Sequence, residues 1–230
     1  DYNLFSINSG SGALTFTNAP DFEAPGCGAN TDSNTCVVLL SVTDGSGTTD
    51  TITVTVTVTA VNDNTPIFDD DDSDGESSTA AASVAENVQT VGTYDATDGD
   101  AGASLTYSIT AFGTDGASVD SALFSIDSGT GALTFTNAPN FEAPGCGADT
   151  DSNTCVVLLS VSDGTTTDTI TVTVTVTDVN DNTPVFDDDD SDGESSTAAA
   201  SVAENVQTVG TYGATAVSYT HLTLPTTPYV

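Results

Sequence analysis

The sequence predicts an all-β protein built from tandem β-sandwiches, and three observations carry that expectation. A long segment recurs: "LFSINSGSGALTFTNAPDFEAPGCGANTDSNTCVVLLSVTDG" (4–45) returns as "LFSIDSGTGALTFTNAPNFEAPGCGADTDSNTCVVLLSVSDG" (123–164), offset by 119 from Cys27 to Cys146 and by 118 from Asn62 to Asn180. Within one repeat, short alternating apolar segments are separated by turn residues at the spacing of a sandwich. No segment carries a convincing helical period.

In the full copy the strands are expected at 83–86 (SVAE), 91–96 (VGTYDA), 104–111 (SLTYSITA), 123–126 (LFSI), 132–136 (ALTFT), 156–162 (VVLLSVS) and 167–177 (TDTITVTVTVT). "DSGTG" (127–131) reads as a hairpin turn. In the last strand Ile170, Val172, Val174 and Val176 share one face and Thr169, Thr171, Thr173 and Thr175 the other, so one side is expected to be buried and the other wet, as in an antiparallel sandwich. The repeat divides the chain into the C-terminal half of one unit (1–66), a complete unit (67–184) and the start of a third (185–215). After Tyr212 the third copy departs from the second, and "SYTHLTLPTTPYV" resembles translated sequencing-adapter read-through. Residues 216–230 are therefore expected to be a non-native tail.

Composition narrows the function classes. The chain has 34 Asp and Glu and no Lys or Arg, a formal charge of −34. A phosphate backbone or an anionic lipid surface repels such a chain, so neither nucleic acid nor membrane contact by this segment is expected. No intrachain cation can pair with the carboxylates. They must stay solvated, repel one another or take cations from solution, and hard divalent ions prefer oxygen ligands. There is no nucleophile elbow, phosphate loop or cation for an oxyanion, and the single His lies in the tail, so no enzymatic activity is expected. Paired carboxylates could cleave glycosides, but these lie beside Asn at strand ends and the chain has no Trp to stack a sugar.

Each copy carries a cysteine pair with eight residues between, Cys27/Cys36 and Cys146/Cys155. Zinc would need further Cys or His, so a local disulfide is favoured over a metal site, and with it an oxidising, extracellular compartment.

The strand ends hold the remaining chemistry. "NDNTP" closes each Thr/Val strand, at 62–66 and 180–184. Taken alone it reads as turn chemistry, because Asn and Asp bond back to local backbone and Pro breaks the ladder. It keeps company with "AEN" (85–87), "DGD" (98–100), "DFE" (21–23) or "NFE" (140–142), and "SVSDG" (160–164), all beside expected strands. Calcium takes about six to eight oxygens, several of them carboxylate, and loops at one pole of a sandwich could gather them.

The order "AEN… DGD… FSIDSGTGALTF… NFE… LSVSDG… DVNDNTPVF" resembles a cadherin repeat, over 67–215 and again over 1–66. The resemblance implies tandem seven-stranded Greek-key sandwiches, immunoglobulin-like in layout, with Ca²⁺ at each junction. Carried over by residue, the first junction would use Asp21, Glu23, Asn62, Asp63 and Asn64 from the first unit and Asp98, Asp100 and Asp163 from the second. The next would use Glu86, Glu142, Asp178, Asn180, Asp181 and Asn182. Ala60 stands where the second copy has Asp178, Asn140 where the first has Asp21, and Ala216 and Ser218 where Asp98 and Asp100 should recur. Both sites are therefore expected to bind more weakly than complete ones.

The resemblance further implies a cell-surface adhesion protein whose array calcium stiffens. Its partner would be another copy of itself or another surface protein, and its parent would be membrane- or surface-attached. Two alternatives stay open: a passive spacer projecting another binding domain, and an acidic matrix protein binding mineral through "DDDDSDGE" (69–76).

Overall fold

The structure is a computed structural model that describes residues 1–29, 31–69, 79–110, 120–147, 152–183, 185–187, 200–210 and 213–215. The acidic stretch at 70–78 and the tail at 216–230 lie outside the described residues.

In the first half unit β1 (Phe5–Ile7) pairs with β2 (Leu14–Phe16), and β3 (Thr35–Thr43) with β4 (Thr49–Thr57), both antiparallel. β5 (Ile67–Phe68) follows the first NDNTP motif. The complete unit runs through β6 (Thr79–Ala85), β7 (Thr90–Thr93), β8 (Ala96–Thr97), β9 (Thr106–Thr110), β10 (Phe124–Ile126), β11 (Ala132–Phe135), β12 (Thr154–Ser162) and β13 (Thr167–Thr177). β14 (Val185–Asp187) and β15 (Gly213–Thr215) repeat, one unit on, the antiparallel pairing of β5 with β8.

Two sheets enclose the core of the complete unit. One has the order β6-β13-β12-β9 and the other β10-β11-β7. Val157, Leu159, Val161, Val172 and Val174, fully enclosed, form one cluster with Leu133 and Phe135 of the opposite sheet. The period-2 expectation for β13 holds: Ile170, Val172, Val174 and Val176 are all buried. The strand expected at 83–86 spans Thr79–Ala85, and two further details depart from the sequence reading. β6 runs parallel to β13, with Val84 beside Val176, so the sheet is mixed rather than wholly antiparallel. The expected strand at 91–96 is two strands. β7 joins β11, β8 joins β5, and the chain changes sheets at Tyr94 and Asp95. Here Gly131, in the left-handed region at φ +69°, lies so close to the Tyr94 carbonyl that any side chain would strike it.

The two copies share their core residues and differ in what covers them. Near the cysteines the half unit is closed, with Cys36 and Val38 buried. Toward the other end of the sheet it opens. Val42 is 67% exposed where its counterpart Val161 is 0%, and Ile52 is 63% exposed where Ile170 is 2%.

Both cysteine pairs are disulfides, Cys27–Cys36 and Cys146–Cys155, each with Cα atoms 4.8 Å apart. A small bridge inside each loop pairs Cys27 with Ser33 and Cys146 with Ser152. Closing so short a loop is worth about 2–3 kcal/mol of unfolded-state entropy. Replacing Cys146 and Cys155 together with Ser should lower the stability of the complete unit by about that amount, read from urea denaturation midpoints.

Candidate metal centres

Strand ends deliver acidic side chains to two places. At the first, β4 runs out into Asn62–Asn64, the β2–β3 connection brings Glu23, the turn after β8 brings Asp98 and Asp100, and the β12–β13 turn brings Asp163. Glu23, Asp63 and Asp100 each set one carboxylate oxygen within 4.8 Å of the others, and Asp98, Asp100 and Asp163 do the same. Asp100 belongs to both groups and is buried.

Hydrogen bonds bind the two units together here. Asp100 Oδ2 accepts the Asn64 backbone N–H at 2.9 Å and Oδ1 accepts the Asn64 side-chain amide at 2.8 Å. Asp98 Oδ1 accepts the Asp100 N–H at 2.7 Å. The Asn62 amide donates to the Asp163 carbonyl at 3.2 Å, and the Thr166 hydroxyl donates to the Asn64 carbonyl at 3.2 Å. The Gly99 backbone lies close enough to the Asn64 side chain that an added Cβ would come within 3.1 Å of it, which gives the middle residue of "DGD" its role. The Asn64 amide, more than any other contact, holds the Asp100 carboxyl below the usual carboxylate range, against the opposing effect of burial. Asp163 is lowered likewise, chiefly by the Thr166 and Thr165 N–H groups.

At the second place Glu86, Glu142 and Asp181 converge within the same 4.8 Å. Glu86 is 2% exposed. Its Oε2 accepts the Phe141 N–H at 2.9 Å and its Oε1 the Val179 N–H at 2.8 Å. Those two bonds, led by Phe141, hold its pKa down despite burial. Asn87, in the left-handed region at φ +66°, donates its amide to Asp181 Oδ2 at 2.6 Å, and the Asn182 amide reaches Oδ1 at 3.2 Å.

The sequence reading is thus brought together in its main parts. Glu23, Asp63, Asp98, Asp100 and Asp163 meet at one junction, and Glu86, Glu142 and Asp181 at the next. Asn62, Asn64 and Asn182 serve as donors beside them. Asp21 does different work: its Oδ1 accepts the N–H groups of Glu23 and Ala24, closing a turn that presents Glu23. Asn140 makes the same two bonds to Glu142 and Ala143, which is why Asp and Asn interchange there. Asp178 and Asn180 are exposed, and Asp178 stands outside the carboxylate groups.

Two residues were missed. Asn87 sat inside "AEN" without being assigned a role. Asp120, 3% exposed, accepts the Gly147 and Val156 N–H groups at 2.8 Å each and pins the disulfide loop to β12. Asp1 does the same in the half unit through Gly28 and Val37. The signal was available, since Asp persists at 1 and 120 although the next two residues change from Tyr-Asn to Ser-Ala.

Whether the residues fit a cation is tested by their unsatisfied oxygens. Asp98 Oδ2 and Glu142 Oε1, one at each place, are buried without a hydrogen-bond partner. A buried, unpaired carboxylate oxygen is costly, and a hard cation facing several such oxygens supplies what is lacking. The donor sets fit a calcium-type ion.

Solved structures share this architecture. A three-repeat segment of human CDH23 (EC21-23) matches with a TM-score of 0.58 at 21% identity, covering 80% of this chain and 54% of that one. The mouse clustered protocadherin PcdhgC3 (EC1-3) matches with a TM-score of 0.54 at 23% identity, covering 76% and 51%. The protocadherin gamma B4 extracellular domain matches at 0.55 and 25% identity, covering 79% and 26%. The units have the cadherin-repeat fold. No family model and no curated protein matches the sequence. The chain spans about half or less of each of these three structures.

Because Glu86 and Asp100 have lowered pKa values in this fold, the stability they contribute is present above the unfolded carboxylate range and is lost as pH falls through the lowered folded values. Acidification also relieves general repulsion, so the comparison is made against Glu86→Gln. In chelator, the variant should lose less Tm than the parent on going from neutral to acidic pH.

Proposed function

We propose that this chain is a calcium-stiffened segment of an extracellular adhesion protein, divided at 1–66, 67–184 and 185–215 into cadherin-like units, with 216–230 as a non-native tail. The observation that carries the reading is the buried, unpartnered carboxylate oxygen at each junction, Asp98 Oδ2 and Glu142 Oε1, set among carboxylates that have no cation of the chain's own. The first site is drawn from Glu23 and Asp63 of one unit and Asp98, Asp100 and Asp163 of the next, with Asp21 and Asn62–Asn64 shaping it. The second is drawn from Glu86, Glu142 and Asp181, with Asp178, Asn180 and Asn182 on the same segment.

A divalent ion at the first site neutralises charges that belong to two units and favours one relative orientation of them. The role is mechanical, not catalytic. Extracellular modules of this kind bind calcium at roughly 10⁻⁴–10⁻³ M, so ordering follows the calcium of the surroundings. The disulfides support an oxidising, extracellular location. Homophilic adhesion is the reading that the resemblance to cadherin repeats carries, and the solved neighbours, extracellular cadherin domains among them, are consistent with it in fold.

X-ray scattering on the intact chain tests this. Calcium should lengthen and narrow the distribution of conformers relative to chelator, and Asp100→Asn should abolish most of that response while leaving the disulfide-linked fold intact by circular dichroism. A scattering profile unchanged by calcium overturns the reading.

A further inference from the structure

In each copy one side chain joins the disulfide loop to a carboxylate group. The Asn153 amide donates to the Phe141 carbonyl at 2.9 Å, and in the half unit the Asn34 amide donates to the Phe22 carbonyl at 2.9 Å. Each carbonyl belongs to the peptide that leads directly into a glutamate of a carboxylate group, Glu142 or Glu23. The other side of the same peptide is also held. Asn140 Oδ1 accepts the Glu142 N–H and Asp21 Oδ1 the Glu23 N–H, both at 2.9 Å. In the complete unit Glu86 Oε2 takes the N–H of Phe141 as well. The turn that presents Glu142 is thus fixed by itself, by the exit of β6 and by the disulfide loop.

Asn153 has little freedom of its own. Its carbonyl accepts the Val176 N–H at 2.8 Å, which extends the β12–β13 pairing. Ser152, just before it, exchanges two backbone hydrogen bonds with Cys146, each 3.1 Å, and Cys155, two residues on, is bonded to the same Cys146. Asn34 repeats the arrangement. Its carbonyl accepts the Val58 N–H at 2.8 Å, Ser33 pairs with Cys27, and the Cys27–Cys36 bond closes the loop. Asn34 Oδ1 is buried with no partner, a penalty that an apolar side chain would not incur. What Asn supplies at this position is therefore the bond that its nitrogen donates.

We propose that Asn153 and Asn34 are positioning residues through which each disulfide loop orients the glutamate of its metal centre, so that a unit lacking the disulfide holds the ion more weakly. The orienting role rests on the hydrogen bonds alone, and the effect on the ion rests on the calcium reading. With the loop closed, the peptide before Glu142 is ordered in advance, and little freedom remains for the ion to remove. With the loop open, Asn153 is no longer held against the Phe141 carbonyl, and that ordering falls on binding. Outer partners that orient metal-binding side chains act in the same way.

Hydrogen exchange on the intact chain in chelator tests the orienting role with no ion present. Asn153→Leu keeps the volume and removes the donor. It should speed exchange of the Phe141 and Glu142 amides about tenfold, as expected for the loss of one supporting hydrogen bond, while Val172 and Val174 in the core keep the protection of the parent. Asn153→Ala, which leaves room where Leu fills it, should behave alike. Calcium titrations followed by NMR at the Glu142 and Glu23 amides test the second part. Asn153→Leu should weaken the centre at Glu142 about tenfold and leave the centre at Glu23 unchanged, and Asn34→Leu should do the reverse. Replacing Cys146 and Cys155 together with Ser should weaken the centre at Glu142 as far, and adding Asn153→Leu to that pair should weaken it no further. Unchanged exchange at Phe141 and Glu142 overturns the proposal, as does faster exchange spread equally over β13, the mark of a general loss of stability. Equal weakening at both centres, or additive losses from the cysteines and Asn153, also overturns it. Amides of the parent that ignore calcium overturn the calcium reading and the second part with it, and exchange in chelator still decides whether Asn153 orients Glu142.

Discussion

Everything in this protein is arranged around negative charge that the chain cannot neutralise for itself. With 34 carboxylates and no Lys or Arg, each buried carboxylate must find neutral donors. The fold meets this demand with backbone amides first. Glu86 takes two from separate loops, Asp120 takes two across the disulfide loop, and Asp163 takes two from its own turn. Side-chain amides come second, as in Asn64 with Asp100 and Asn87 with Asp181. Hydrogen bonds to an ionised group are worth about 1.5–3 kcal/mol each, which is enough to keep a carboxylate charged where burial alone would neutralise it. The donors run out at Asp98 and Glu142, and those two oxygens lie at the junctions.

The same economy explains which junction residues can vary. A residue whose oxygen caps a turn needs only an acceptor, so Asp21 and Asn140 are equivalent despite their different charge. A residue whose second oxygen points into a group of carboxylates needs the charge itself, and Glu23 and Glu142 are alike in both copies. Spacing along the sequence does not distinguish these cases. Asp21 and Glu23 are two residues apart, and only the turn between them decides which side chain faces its own backbone and which faces the neighbouring unit.

That distinction marks how far the sequence can be read. The sandwich was legible because period-2 alternation in β12 and β13 translates directly into which face is buried. The gathering of Glu23, Asp63, Asp98, Asp100 and Asp163 was legible through the resemblance to a cadherin repeat, because only Asp98 and Asp163 directly follow a strand while Glu23 and Asp63 lie in the connections beyond β2 and β4. The change of sheet at Tyr94 was not, because "VGTYDA" has the composition of one strand, and the close approach of Gly131 from a distant hairpin to the Tyr94 carbonyl cannot be read from it. Asp120 was legible only by comparing the copies, through the Asp kept at position 1. Its partners at Gly147 and Val156 are distant in sequence, and a lone Asp before a strand reads as an ordinary turn residue.

Under the proposed calcium reading, Glu86 joins rigidity and cation binding in one design. Its backbone N–H closes the parallel ladder onto the Thr177 carbonyl, and its side chain fastens the Val179 amide just beyond the end of β13. The direction in which the chain leaves the sandwich is therefore set by the residue that also faces Glu142 and Asp181. Because backbone amides already order that carboxylate, an ion arriving there does not bear the cost of immobilising it, which is the usual advantage of preorganisation. The ordering that remains falls on the junction between units, where Asp100 and Asn64 make direct hydrogen bonds from opposite sides. Under the proposed calcium reading, a cation held by Asp63 and Asp100 would act at that boundary, and its binding energy would go into relative orientation and little into refolding either sandwich.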